Sequence, residues 1–217
     1  MLGQMAARRR AVARAGVRAG RTFERQLPEA RRLELIEATI ECLKRFGHEG
    51  LSIRRISAQA GVSIGLINHH FPNKNELVAQ AYVHFNSQLF GTLRRAVERA
   101  PPVAGKRLAA FLRASFSPPN LDQDVLAVWV VFWGMHRHSP EIQRVHEQAY
   151  GGYLALVHEL LEAAHAQGER FPLGLRPSAI GLTALLDGLW LEWCLNPRTF
   201  APDEAIALCE SWIRRGR

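Results

Sequence analysis

The stretch Ser52–Lys74 (SIRRISAQAGVSIGLINHHFPNK) constrains this chain more than any other, because its spacing fits one local fold. Ser52 can cap a helix, its side-chain oxygen accepting from an amide of the first turn. Ile53, Ile56 and Ala60 recur at helical spacing and give an inward stripe. Gly61 can take a left-handed backbone without a steric penalty. Val62 fills the inside of the corner and Ser63 caps a second helix, in which Ile67 and Phe71, four apart, point inward. Ile64, Gly65, Leu66, Asn68, His69 and His70 are left facing out or sideways. Small residues at Ser57 and Ala60 let the two helices cross closely. The pattern is that of a helix-turn-helix, whose second helix is sized for the major groove of DNA. A plain helical hairpin has the same spacing, so the flanks must separate the two.

The flanks carry further matches. A helix ends at Phe46-Gly47, Leu51-Ser52-Ile53 and Ile56-Ser57 open the motif, and Ala60-Gly61-Val62-Ser63 make the corner. Gly65, His70-Phe71 and Lys74 follow, and Glu76-Leu77 open a long helix. In these residues the segment from about Glu29 to Leu89 resembles the DNA-binding module of the TetR family. The resemblance implies three helices for DNA, a linking helix, and a larger helical domain for a ligand and for dimerisation. It also implies that Ser52, Arg54 and Lys74 hold the phosphate backbone. On the second helix, Asn68 can pair bidentately with adenine, and Leu66 or Ile64 can touch a thymine methyl. His69 and His70 can donate to phosphates or bases, and Ser63 and Gly65 complete the expected DNA-contacting set. Corner packing is the alternative role for His70. Asn68 stands where a tyrosine is frequent in the family, and Ile64 where a polar residue is, which bears on the operator sequence.

Charge separates the N-terminus from the rest. From Met1 to Arg32 nine arginines stand against two glutamates, a net of +7 out of +8 for the whole chain. Residues 1–27 carry almost no core-forming side chains and are expected to be a disordered basic arm suited to a polyanion. Residues 28–73 are expected to form the DNA-binding domain, and residues 74–217 the linking helix and a domain for effector binding and dimerisation. Pro101-Pro102, Pro118-Pro119, Pro140, Pro177, Pro197 and Pro202 punctuate the remainder into helices. No alternating strand pattern appears, so the fold class is all-α, with about nine helices. The nearly all-apolar run Val125–Met135 is expected at the centre of its domain. No uncharged apolar run of about 18 residues suggests a membrane span. Three scattered cysteines read as buried thiols in a reducing compartment, which points to the cytoplasm.

The C-terminal half has its own resemblance. The segments AVWVVFWGMHRHSPEIQRVHEQ and IGLTALLDGLWLEWCLNP, above all Leu186-Asp187-Gly188-Leu189-Trp190-Leu191, are similar to the BetI branch of the family. That branch represses choline-to-glycine-betaine genes and responds to choline. Asp187 is the only charge between Ile180 and Leu191, and a carboxylate on an apolar helix requires a partner. An arginine or helix end of the same chain, or one across a dimer, would serve. So would a cationic effector, for which Trp129, Trp133 and Trp190 could form an aromatic wall with Asp187. The same tryptophans could equally be plain core.

Other classes are less well supported. There is no H-E-x-x-H and no glycine-rich phosphate loop after a strand, so no enzyme is expected. His136 and His138 face different sides of a helix, and His158 and His165 are too far apart for one ion, so neither metal nor cofactor is expected. The reading is a homodimeric repressor that binds a near-palindromic operator and is released by a small molecule, with a choline-like cation as the candidate. A regulator of an apolar effector and a ligand-independent architectural DNA binder are the alternatives.

Overall fold

The structure, a computed structural model, describes residues 28–171 and 173–214. Nine helices and no strand occur among the described residues. Helix α1 spans residues 28–46, and it is followed by α2 (Ile53–Ala60), α3 (Ile64–His70) and α4 (Lys74–Arg99). The rest are α5 (Ala104–Ser115), α6 (Gln123–Met135), α7 (Pro140–Ala166), α8 (Leu175–Leu195) and α9 (Pro202–Arg214). The basic arm lies outside the described residues.

Local signals set most boundaries. Side-chain oxygens of Ser52, Ser63, Asn73, Asp122 and Ser139 accept from the amide three residues on, capping α2, α3, α4, α6 and α7. Gly47 and Gly61 close α1 and α2 with φ of 61° and 64°, the left-handed region that favours glycine. Helix α8 starts two residues before Pro177, which its first turn accommodates because the amides there have no intrahelical partner.

Helices α4, α5, α7 and α8 pack on one another as the body of the molecule, with α6 and α9 laid against α8. The interior forms two apolar clusters. The one on the DNA side joins Leu35, Leu43, Ile56, Ile67 and Phe71 to Tyr82 and Phe85 of α4, Phe132 of α6 and Ile142 of α7. The far cluster gathers Leu93, Phe111, Leu126, Tyr153, Leu186 and Trp190. Trp129 packs against both and sits on their seam.

One expectation is revised. Helix α6 is not enclosed: Ala127, Val130 and Gly134 leave one of its faces exposed. In α1, Leu33 and Phe46 are 40% exposed, and the inward stripe is instead Leu35, Ile36, Ile40 and Leu43. Among the described residues α8 alone is long and apolar enough to cross a membrane. Its inner face (Ala179, Leu182, Thr183, Leu186 and Trp190) is buried against the other helices.

Candidate DNA interface and effector region

The helix-turn-helix forms as its spacing requires. The Val62 amide donates to Ser57 O at 3.1 Å across the corner, and Ser57 Oγ donates back to Val62 O. Ile56, Ile67 and Phe71 are buried, and Ile53, Ala60 and Val62 pack against them. On α3 this leaves Ile64 43% exposed, with Ser63, Gly65, Asn68 and His69 also exposed and Leu66 and His70 half-buried. Seven residues give α3 two turns, enough to present one face to a groove.

The surrounding cations divide into braces and free groups. Arg54 is exposed and makes no hydrogen bond or ion pair among the described residues. Lys74 is half-buried, and its Nζ reaches Leu51 O at 3.4 Å, beside the Ser52 cap. Arg55 is a brace: Nη1 donates to Gly50 O, and the guanidinium lies 4.6 Å from the Phe46 ring centroid. Gly50 is the residue that permits this, since a Cβ there would meet Phe46 O and Arg55 Nη1. A second brace was missed by sequence reasoning. Arg32 donates to His70 O at 2.8 Å, and its guanidinium covers the Phe71 ring at 4.4 Å. Burial, then His69, then Arg32 hold the His70 imidazole below its ordinary pKa. His70 therefore contributes to the corner as well as to the outer face.

Within the body the four effector candidates do not converge as one cage. Trp129 and Trp133 lie 5.7 Å apart and, with Trp190, line a small apolar cleft together with Leu126, Val130, Leu191 and Cys194. Trp190 is largely spoken for, because it is buried and its Nε1 donates to Ser115 O at 3.0 Å. Asp187 lines neither that cleft nor the one behind it.

The charge of Asp187 reaches the tyrosines instead. The chain has three, Tyr82, Tyr150 and Tyr153, and the Asp187 charge raises the pKa of each, after burial, which is the larger cause. Tyr82 comes from α4, the other two from α7, and Asp187 from α8, and α7 packs against both α4 and α8. Asp187 makes no hydrogen bond or ion pair among the described residues, and burial pushes its carboxyl up to about 6. Among the described residues no arginine or helix end of the same chain serves as its partner.

The linking helix is tied to the same place. Tyr82 Oη lies 2.7 Å from His146 Nδ1, and Tyr150 stacks on that imidazole at 5.6 Å. His136 meets it edge-on at 4.9 Å. Burial, then His136, hold His146 below its ordinary pKa, so it is neutral at neutral pH. Trp129 adds its ring to Tyr82, Phe85 and Phe90. A signal for the tyrosines existed in the sequence: His146, Tyr150 and Tyr153 recur at i, i+4 and i+7 on one helix face. Nothing local, however, links that face to Asp187 or to Tyr82.

Comparison with known proteins completes the assignment. The model of "Bacterial regulatory proteins, tetR family" matches residues 35–81, and that of "BetI-type transcriptional repressor, C-terminal" matches residues 104–216. The chain belongs to the TetR family. Its C-terminal domain is of the BetI type, and the protein is a transcriptional repressor, not an enzyme. The regulator BetI of Burkholderia thailandensis is 29% identical over 186 residues, covering 85% of this chain and 92% of its own. BetI of Vibrio parahaemolyticus is 30% identical, with coverage of 86% and 92%. A transcriptional regulator from Pseudomonas aeruginosa PAO1 shares 45% identity and superposes with a TM-score of 0.80 over 88% of this chain and 95% of its own. A Saccharomonospora viridis regulator solved in complex with choline shares the TetR fold, with a TM-score of 0.75 at 23% identity, over 86% and 96% of the two chains.

Proposed function

We propose that this TetR-family repressor acts in the cytoplasm as a homodimer on a near-palindromic operator and is released by a small cation of the choline type bound beside Asp187. The observation that carries the effector reading is the Asp187 carboxylate, pushed up by burial and without a hydrogen bond or ion pair among the described residues, whose charge acts on all three tyrosines of the chain. Electron-rich rings with one uncompensated negative charge suit an ammonium ion. The S. viridis relative with bound choline agrees with that chemistry.

On the DNA side, Ser52, Arg54, Ser63 and Lys74 hold phosphates, while Ile64, Leu66, Asn68, His69 and His70 face the bases. A Cβ on Gly65 would meet only Ser63 Oγ, at 3.8 Å, so packing within the protein does not explain the glycine; a bare backbone lets a phosphate approach. Dimerisation uses α8 and α9. Ile180, Ala184, Gly188, Leu191 and Leu195 form an exposed stripe along α8, and Leu208 of α9 is 51% exposed. A two-fold axis through such a face sets the two α3 helices about one DNA turn, roughly 34–36 Å, apart.

Release follows from the seam between the clusters. A cation held among Tyr82, Tyr150, Tyr153 and Asp187 touches α4, α7 and α8 at once. It favours the state in which α4 is drawn to it, and the Tyr82–His146 contact moves with α4. An apolar effector is the second reading, favoured by an open cleft of about 100 Å³ between α5, α7 and α9, lined by Leu108, Leu112, Phe171 and Ile213 with Glu169 and Glu210 at its side. Calorimetric titration of choline into the repressor, beside anisotropy of a labelled operator selected from genomic fragments, tests the proposal. Choline should bind and dissociate the operator. No heat at millimolar choline would rule out the choline-type cation and leave the apolar cleft as the site.

A further inference from the structure

We infer that Arg32 of α1 is a positioning residue for operator recognition: it holds the C-terminal end of α3 against the protein, and its charge acts there and not on a DNA phosphate. The inference rests on the reading above that the outer face of α3 meets the bases.

Arg31 and Arg32 close the basic N-terminal run, and the structure gives them different work. Arg31 is exposed and pairs with Glu34 one turn further along α1. Arg32 turns the other way and is half-buried. Its Nη1 donates to His70 O at 2.8 Å, and its guanidinium carbon lies 4.4 Å from the centroid of the Phe71 ring. His70 is the last residue of α3 and Phe71 its C-cap. One guanidinium thus grips the end of the recognition helix from 38 residues away in the chain.

That end needs a tie from outside. Helix α3 has seven residues, and a helix so short is marginal in water on its own. Its start is fixed locally, because Ser63 Oγ accepts from the Leu66 amide and the Ser57–Val62 pair closes the corner. At its finish the last carbonyls have no acceptor role within the helix, and the chain leaves through Phe71 in an extended conformation. The buried Phe71 ring anchors this end, and Arg32 covers that ring and takes the carbonyl beside it. A cation there also faces the negative end of the helix dipole. The same turn carries Asn68 and His69, both exposed, with the His69 ring edge-on to His70 at 5.2 Å. Base-edge hydrogen bonds weaken steeply with misalignment, so a loose final turn loses sequence discrimination first. Arg55 separately ties Gly50 O and the Phe46 ring at the other end of α1, so removing Arg32 frees the end of α3 and leaves the rest of the motif braced.

A phosphate contact and a positioning residue have different signatures. Loss of a phosphate contact weakens every duplex alike and lowers the salt slope by about one. Loss of a positioning residue weakens the correct sequence alone and leaves the slope unchanged, because no counterion is involved. The test is anisotropy with the full-length repressor on two labelled duplexes, one selected by the wild type from genomic fragments and one scrambled, over a range of salt. Arg32→Met keeps an apolar cover on Phe71 and removes the donor. It should bind the selected duplex about 10- to 100-fold more weakly, as for a lost charge-assisted hydrogen bond, with scrambled-duplex binding and salt slope at wild-type values. Arg32→Lys, which keeps a charged donor, should recover part of the loss. Arg31→Met, the same charge change one residue away, should keep wild-type discrimination. Both duplexes weakened alike with a lower slope in Arg32→Met would overturn the inference and make Arg32 a phosphate contact. Wild-type discrimination in Arg32→Met, or an Arg32→Lys no better than Arg32→Met, would overturn it too. So would loss of both duplexes together with helix content by circular dichroism, which would make Arg32 a folding residue. Asn68→Ala, measured alongside, tests the reading underneath: undiminished discrimination there would overturn base contact by α3, whatever Arg32 does.

Discussion

Replacing Asp187 by asparagine should stabilise the ligand-free repressor, and the size of the effect follows from its surroundings. Burial pushes the carboxyl from 3.8 to about 6, and no hydrogen bond or ion pair among the described residues offsets it. Each pKa unit corresponds to about 1.4 kcal/mol, so ionised Asp187 costs the folded state about 3 kcal/mol relative to the unfolded chain. The folded pKa is the higher one, so between about 4 and 6 the native state holds more protons than the unfolded state. Stability therefore falls as pH rises through that window and stays low above it. Asp187→Asn keeps the shape and removes the charge. At pH 7.5 its Tm should exceed the wild type's by roughly 6–12 °C, taking about 2–4 °C per kcal/mol for a chain of this size. Below about pH 4 the two curves should converge. Thermal unfolding followed by circular dichroism at equal protein concentration, across pH 4 to 8, measures this directly. A variant as stable as the wild type at pH 7.5, or less stable, would refute the reasoning, because it would show that the carboxylate is paired across a dimer. A saturating cationic effector should reverse the order, stabilising the wild type and leaving the variant unmoved.

Three further outcomes are expected. Lys74→Ala should weaken all DNA sequences alike and lower the salt slope by about one, whereas Asn68→Ala should relax one operator position at a cost of ~1–3 kcal/mol; operator selection with both variants checks the division. Gly181→Ala places a methyl on the Trp212 indole where α9 crosses α8, and overpacking there should cost about 1–3 kcal/mol in urea unfolding. Leu195→Glu, at a position 72% exposed in the single chain, should give monomers in sedimentation velocity and lose operator binding while keeping its helix content.

The helix-turn-helix was legible in the sequence because its determinants are local. Caps at Ser52 and Ser63, the left-handed turn at Gly61, and the inward Ile56, Ile67 and Phe71 act within a few residues of one another. The same local logic located the helices of the C-terminal half to within a few residues. It could not say which faces meet. Gly181 and Gly188, seven apart, lie on one face of α8 and have the same spacing signal. Only Gly181 meets a close neighbour, and that neighbour is Trp212 of the same chain. Trp190, singled out as a ligand wall, gives its indole N–H to a carbonyl 75 residues earlier. Asp187 was recognised as a charge needing a partner, yet its tyrosine surroundings arise from α4 and α7, up to 105 residues away along the chain. Spacing within a helix fixes which side chains share a face. Which faces then confront one another is fixed by the packing of many side chains across helices distant in sequence. The DNA-side surface, built from two adjacent short helices, was therefore legible in the sequence, while the surroundings of Asp187 were decided only by how α4, α7 and α8 pack.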